Sequence, residues 1–123
     1  MITEDYCSYE VAKLLKEKGF EQHKCQHSYD SKGVFKWSDD LDPYECSAPT
    51  HQTAMKWLRE EKNIFIIIEP HVYDYVNEKN KSYTCSLWIG DKYYEYEYLE
   101  PRDYPSYEEA VEAALKYCLK NLI

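Results

Sequence analysis

The stretch that decides the fold is KSYTCSLWIGDKYYEYEYL, residues 81–99. Its centre, Gly90-Asp91, is a Gly-X pair of the kind that forms a two-residue type II′ turn in a β-hairpin. A register slip of one residue would turn glutamates toward the core, so the pairing is well specified. Counting outward from the turn gives the core-face pairs Leu87–Tyr94, Cys85–Tyr96 and Tyr83–Tyr98. We therefore predict antiparallel strands near 82–89 and 92–99.

The opposite face of this hairpin pairs Trp88 with Tyr93 and is bordered by Thr84, Glu95 and Glu97. Aromatic side chains that the core does not bury are costly to leave in water. An aromatic centre with an acidic rim is also a typical layout of a transient protein interface. We predict that these five residues form an interaction surface. The competing interpretation is that another part of the chain covers this face, and the exposure of Trp88 distinguishes the two.

Three helices are expected from their capping residues. Ser8 and Thr50 are suited to N-cap positions, and Ser106 with Glu109 forms a capping box. Apolar residues follow each cap at helical spacing. The predicted helices cover 8–18, 50–62 and 106–121.

Further strands are expected between the last two helices. The apolar run 64–69 predicts a strand with Pro70 at a bend or an edge, and 72–76 predicts another antiparallel strand. Residues 20–49 are expected to be mostly loop, with one short edge strand around 34–37. Because the strands run consecutively, we predict an α+β fold in which helices pack on an antiparallel sheet of three to four strands. The whole chain, 1–123, is expected to be a single domain.

Composition and charge exclude several classes of protein. The 123 residues carry 15 Lys and Arg against 23 Asp and Glu, a net charge of -8, which disfavours binding to nucleic acids and anionic membranes. Only three glycines are present, so the usual glycine-rich phosphate loops are excluded. Five cysteines without a CxxC pair, and an N-terminus unlike a secretory signal, predict a cytoplasmic protein without disulfides.

Two sets of residues are candidates for a metal site or a catalytic site. His23, Cys25 and His27 alternate and could bind zinc, with Cys46 or His51 as a fourth ligand, but the spacing matches no common zinc module. We predict no metal site and no cofactor. Cys85 could meet His71 across adjacent strands as an activated thiol, yet Cys85 belongs to the predicted core face. We predict that Cys85 is a buried structural cysteine and that no residue is catalytic.

Three functional classes remain open. The segment 49–60 is similar to a recognition helix, and the order helix, three strands, helix is similar to a double-stranded-RNA-binding domain. The chain could therefore bind nucleic acid or act as an acidic DNA mimic. It could also be an enzyme of an unrecognised type. We favour a non-catalytic protein-interaction module, whose partner is another protein or a second copy of the chain.

Three segments of the sequence are similar to segments of known proteins. Residues 10–20 are EVAKLLKEKGF, residues 47–70 are SAPTHQTAMKWLREEKNIFIIIEP, and residues 104–123 are YPSYEEAVEAALKYCLKNLI. Together they resemble a group of small uncharacterised proteins of gut Bacteroidales and their phages or prophages. The resemblance implies a mobile-element origin and a cytoplasmic setting. It implies no activity, cofactor or site residue.

Overall fold

The computed structural model describes residues 2–22, 26–38, 45–72, 81–95 and 104–123. The fold is α+β, as predicted, with three helices and two antiparallel sheets in these ranges. The helices are α1 (Tyr9–Glu17), α2 (His51–Lys62) and α3 (Tyr107–Asn121). The strands are β1 (His27–Tyr29), β2 (Phe35–Trp37), β3 (Cys46–Ser47), β4 (Ile64–Val72), β5 (Lys81–Ile89) and β6 (Lys92–Glu95). In the described part of the chain, every helix is too short or too polar to cross a bilayer.

The main sheet has the strand order β4-β5-β6 and confirms the predicted hairpin. Leu87 pairs with Tyr94 and Trp88 pairs with Tyr93, as the turn predicted. Gly90 has a φ of 63°, a left-handed value that glycine adopts without steric cost. The two predicted pairs farther from the turn involve residues 96 and 98, which lie outside the described residues.

Strand β4 is longer than predicted and passes through Pro70 without a break. Pro70 lies opposite Tyr83, whose backbone N–H and C=O both bond to Tyr104 on the other side of β5. The side of Tyr83 that faces β4 therefore needs no hydrogen bond, so the missing N–H of Pro70 costs the ladder nothing. Val72 ends β4 and was expected to begin a separate strand, 72–76, whose remaining residues lie outside the described ranges.

The three helices confirm the capping predictions to within a residue at most ends. Ser8 Oγ accepts a hydrogen bond from the Val11 N–H at 3.2 Å, and Ser106 Oγ accepts one from the Glu109 N–H at 3.1 Å. Asn63 ends α2 in a left-handed conformation with a φ of 55°. The apolar helix faces pack with the inner face of the main sheet, and the buried core includes Val11, Leu15, Leu58, Ile64, Leu87, Val111 and Leu115.

Most of the described residues in 20–49 are loop, as predicted, but this segment also forms a second sheet of order β2-β1-β3, of which only β2 was expected. Strands of two or three residues are too short to show an alternating pattern in the sequence. Tertiary contacts hold this sheet in place. The Tyr29 hydroxyl donates to the Cys7 carbonyl at 2.6 Å, and Tyr29 packs with Ala12, Cys46 and Ala48. Strand β2 lies at the edge of its sheet, as predicted for this segment.

Candidate functional site

The face of the main sheet opposite the helices is partly apolar and partly exposed to solvent. We call it the outer face, and it comprises Phe65, Ile67 and Glu69 of β4 with Thr84, Ser86 and Trp88 of β5. The register places Phe65 directly opposite Trp88 and Ile67 opposite Ser86. Cross-strand pairs of this kind lie close enough for their side chains to touch.

Exposure distinguishes the aromatic pair of the outer face from the inner face, although Ser86, also on the outer face, is only 7% exposed. Leu87 is 1% exposed on the inner face, whereas its neighbour Trp88 is 41% exposed and Phe65 is 39% exposed. Trp88 is therefore not buried by its own chain, which is the condition that the predicted interaction surface required. The register places Tyr93 opposite Trp88, and Glu95 opposite Ser86.

The remaining residues predicted for the interaction surface are Thr84 and Glu97. Thr84 is half-buried on the outer face, where it lies opposite the exposed Glu69. Glu97 lies outside the described residues. Phe65 and Ile67 were not predicted for this surface. Their segment is apolar at every position from 64 to 68, so alternation could not separate the residues that face solvent from those that face the core.

A second candidate is a polar cluster that joins all three helices. The Glu112 carboxylate accepts hydrogen bonds from the Ser8 N–H at 2.7 Å, from the Ser8 hydroxyl at 2.8 Å and from His51 Nε2 at 2.8 Å. Burial raises the pKa of Glu112, but the hydrogen bonds from His51 and Ser8 outweigh burial and hold that pKa below its ordinary value. An ionised carboxylate only accepts hydrogen bonds, so Nε2 of His51 carries a proton.

Cys7 completes this cluster. Its Sγ, one ring nitrogen of His51 and one carboxylate oxygen of Glu112 all lie within 4.8 Å of one another. In a thiol hydrolase, one imidazole nitrogen takes the thiol proton while an acid binds the other nitrogen. Here Cys7 is fully buried, and its Sγ lies 3.9 Å from the Thr50 carbonyl oxygen. A substrate therefore cannot reach this thiol, so the cluster is not placed to act as a nucleophilic triad.

The cluster borders an open depression of about 580 Å³. Acidic side chains dominate its charged lining, since Asp5, Glu108, Glu109 and Glu112 face one lysine, Lys116. A depression with this balance attracts cations and repels phosphates and other anions.

Of the candidate zinc ligands His23, Cys25 and His27, only His27 lies within the described residues. His27 is only 9% exposed and lies in an aromatic cluster, 4.3 Å from Trp37, 4.7 Å from Phe35 and 4.7 Å from Tyr6 between ring centroids. Its Nδ1 is buried without a hydrogen-bond partner. His23 and Cys25 lie outside the described residues.

Cys85 is buried, as predicted for a structural cysteine. Its Sγ lies 3.2 Å from the Ala110 carbonyl oxygen, and burial raises the pKa of the thiol to about 12. The register pairs Cys85 with Ile68 and His71 with Ser82, three positions apart along the strands. The register therefore does not make Cys85 and His71 cross-strand neighbours.

Comparison of the chain with protein-family models, with curated proteins and with solved structures finds no match.

Proposed function

We propose that this protein is a non-catalytic protein-interaction module that binds its partner through the outer face. The observation that carries this proposal is the cross-strand pair of Phe65 and Trp88, both about two-fifths exposed on the side away from the core. Aromatic residues are the most frequent contributors of binding energy at protein interfaces.

The charge of the chain indicates what kind of partner fits. The net charge is -8, and exposed Glu69 borders the apolar part of the outer face. Two copies that met through this face would bring like charges together, which is unfavourable. The proposed partner is therefore a different protein, with an apolar patch surrounded by basic side chains.

The cellular setting is part of the same proposal. The resemblance of residues 10–20, 47–70 and 104–123 to proteins of gut Bacteroidales and their phages supports a phage or prophage origin. The four described cysteines form no disulfide, which is consistent with the reducing cytoplasm. We therefore place the partner in the cytoplasm of such a bacterium.

Photocrosslinking tests this proposal directly. A benzophenone amino acid replaces Phe65 in one variant and Phe35 in a control variant, because Phe35 is a similarly exposed phenylalanine on the other sheet. Each protein is irradiated in a lysate of a gut Bacteroidales bacterium, and the products are identified by mass spectrometry. We expect one defined heterologous product from position 65 that position 35 does not give.

Two results would argue against the proposal. Equal products from both positions would show non-specific contact. A product of twice the chain mass from position 65 would show that the outer face joins two copies instead.

A further inference from the structure

We propose that Cys7, His51 and Glu112 form a binding site for Zn²⁺. The three side chains offer a thiolate sulfur, an imidazole nitrogen and a carboxylate oxygen, the donor atoms that zinc prefers in proteins. Their ligand atoms lie within 4.8 Å of one another. This assignment departs from the expectation of no metal site, and it uses no residue of the outer face.

Zinc binding requires the three ligand atoms, which lie within 4.8 Å of one another, to move to the separations of a tetrahedron. Zinc bonds of about 2.0–2.3 Å in a tetrahedron place ligand atoms roughly 3.3–3.8 Å apart. His51 Nε2 and the Glu112 carboxylate are 2.8 Å apart, so binding has to separate them by roughly 0.6 Å. Side-chain rotation can provide a movement of this size without displacing a helix.

Backbone contacts position Cys7 and His51 without using their ligand atoms, whereas both Glu112 oxygens accept hydrogen bonds from Ser8. The Cys7 N–H donates to the Pro49 carbonyl at 2.9 Å, while the Cys7 carbonyl accepts from the Tyr29 hydroxyl at 2.6 Å. The His51 N–H donates to the Asp5 carbonyl at 2.8 Å. The fold therefore brings the three ligands together, and Zn²⁺ binding should add to its stability.

The surroundings favour a divalent cation. The acidic lining of the depression next to His51 and Glu112 attracts positive charge. A thiolate and a carboxylate together neutralise Zn²⁺. On binding, the Cys7 thiol releases its proton to solvent, the imidazole proton moves from Nε2 to Nδ1, and a water from the depression fills the fourth position.

The donor set also discriminates between metals. Ca²⁺ and Mg²⁺ prefer all-oxygen sites with six or more ligands, whereas thiolate and imidazole select zinc and its close analogues. Co²⁺ is therefore a suitable probe, because a cobalt–thiolate bond gives a charge-transfer absorption in the near ultraviolet.

The experiment titrates the full-length, metal-free protein with Co²⁺ and then with Zn²⁺. We expect the charge-transfer band to appear with Co²⁺, to disappear as Zn²⁺ displaces it, and to be missing in Cys7→Ala. Cys118→Ala is the matched control, since Cys118 is equally buried and lies outside the cluster. That control should retain the band.

A second variant keeps the test valid if Cys7→Ala is unstable. His51→Gln can still donate an amide hydrogen bond to Glu112 but loses the imidazole ligand, so its affinity for Zn²⁺ should fall by about tenfold or more. Zn²⁺ at 100 times its Kd should raise the Tm of the wild-type protein by about 10 °C and that of His51→Gln much less.

The proposal is overturned if the wild-type protein gives no band with excess Co²⁺, or if the band persists in Cys7→Ala. It is also overturned if the band is lost in Cys25→Ala and kept in Cys7→Ala, because that result would assign the metal to His23, Cys25 and His27.

Discussion

Replacing Glu112 with alanine should lower the free energy of unfolding by about 3 kcal/mol. The substitution removes three hydrogen bonds to one carboxylate, two from Ser8 and one from His51. A hydrogen bond to a charged group contributes about 1.5–3 kcal/mol, but these three share an acceptor and are not additive. The Glu112 side chain is 24% exposed, so water can reach part of the vacated site, and the total cost of about 3 kcal/mol lies well below the sum of three separate bonds.

The assay is thermal and urea denaturation of the metal-free protein in the presence of a chelator. For a chain of this length, about 3 kcal/mol corresponds to a fall in Tm of roughly 12 °C. Glu60→Ala is the control, because Glu60 is an exposed helical glutamate that faces Lys56 at 3.9 Å. Its effect should stay within about 0.5 kcal/mol.

The pH dependence gives an independent check on the charge of Glu112. The folded-state pKa of Glu112 is lowered, so its contribution is complete above the unfolded-state pKa and is lost as the pH falls through the folded-state pKa. The stability difference between the wild-type protein and Glu112→Gln should be constant near neutrality and shrink below a pH of about 4.5. Equal stability of Glu112→Ala and Glu60→Ala, or a pH-independent difference for Glu112→Gln, would refute this reasoning.

Three further predictions concern packing. Leu87→Ala should lower the free energy of unfolding by about 3 kcal/mol and Trp88→Ala by only about 1 kcal/mol, because these neighbours lie on opposite faces of the sheet. Urea denaturation measures both values. Equal losses would show that the outer face is buried. Gly33→Ala should lower the free energy of unfolding by about 1–2 kcal/mol, since the φ of Gly33 is 79° and a Cβ would lie 2.8 Å from Tyr9 Cδ2. If Gly33→Ala has the same Tm as the wild-type protein, alanine is not strained at this position. Cys85, whose pKa is raised to about 12, should not react with iodoacetamide in the folded protein but should react after unfolding. Mass spectrometry measures the labelling, and labelled Cys85 in the native protein would contradict this prediction.

The elements with strong local signals were predictable from the sequence. Ser8, Thr50 and Ser106 mark the starts of the three helices, since capping chemistry depends on residues within one turn. The Gly90-Asp91 turn sets the register of the hairpin, because a slip of one residue would exchange the faces.

The missed features depend on contacts between distant residues. Strands β1 and β3 are too short to carry a pattern, and the Tyr29 hydroxyl and the packing around Cys46 hold them in place. The cluster of Cys7, His51 and Glu112 is drawn from three separate helix regions, so no spacing in the sequence relates its members. His51 was considered as a zinc ligand only in combination with the histidines near residue 25.

The central claim, that the outer face binds a partner, is tested most directly by comparing two exposed tryptophans. Trp88 lies on the outer face, whereas Trp37 is 70% exposed on the edge strand of the other sheet. The measurement is the Kd of the crosslinked partner, once identified, for the wild-type protein, Trp88→Ala and Trp37→Ala. The account predicts that Trp88→Ala raises the Kd by about 30-fold, as expected for the loss of about 2 kcal/mol at an interface hot spot, while Trp37→Ala leaves it unchanged. An unchanged Kd for Trp88→Ala, or an equal loss in both variants, would contradict the account.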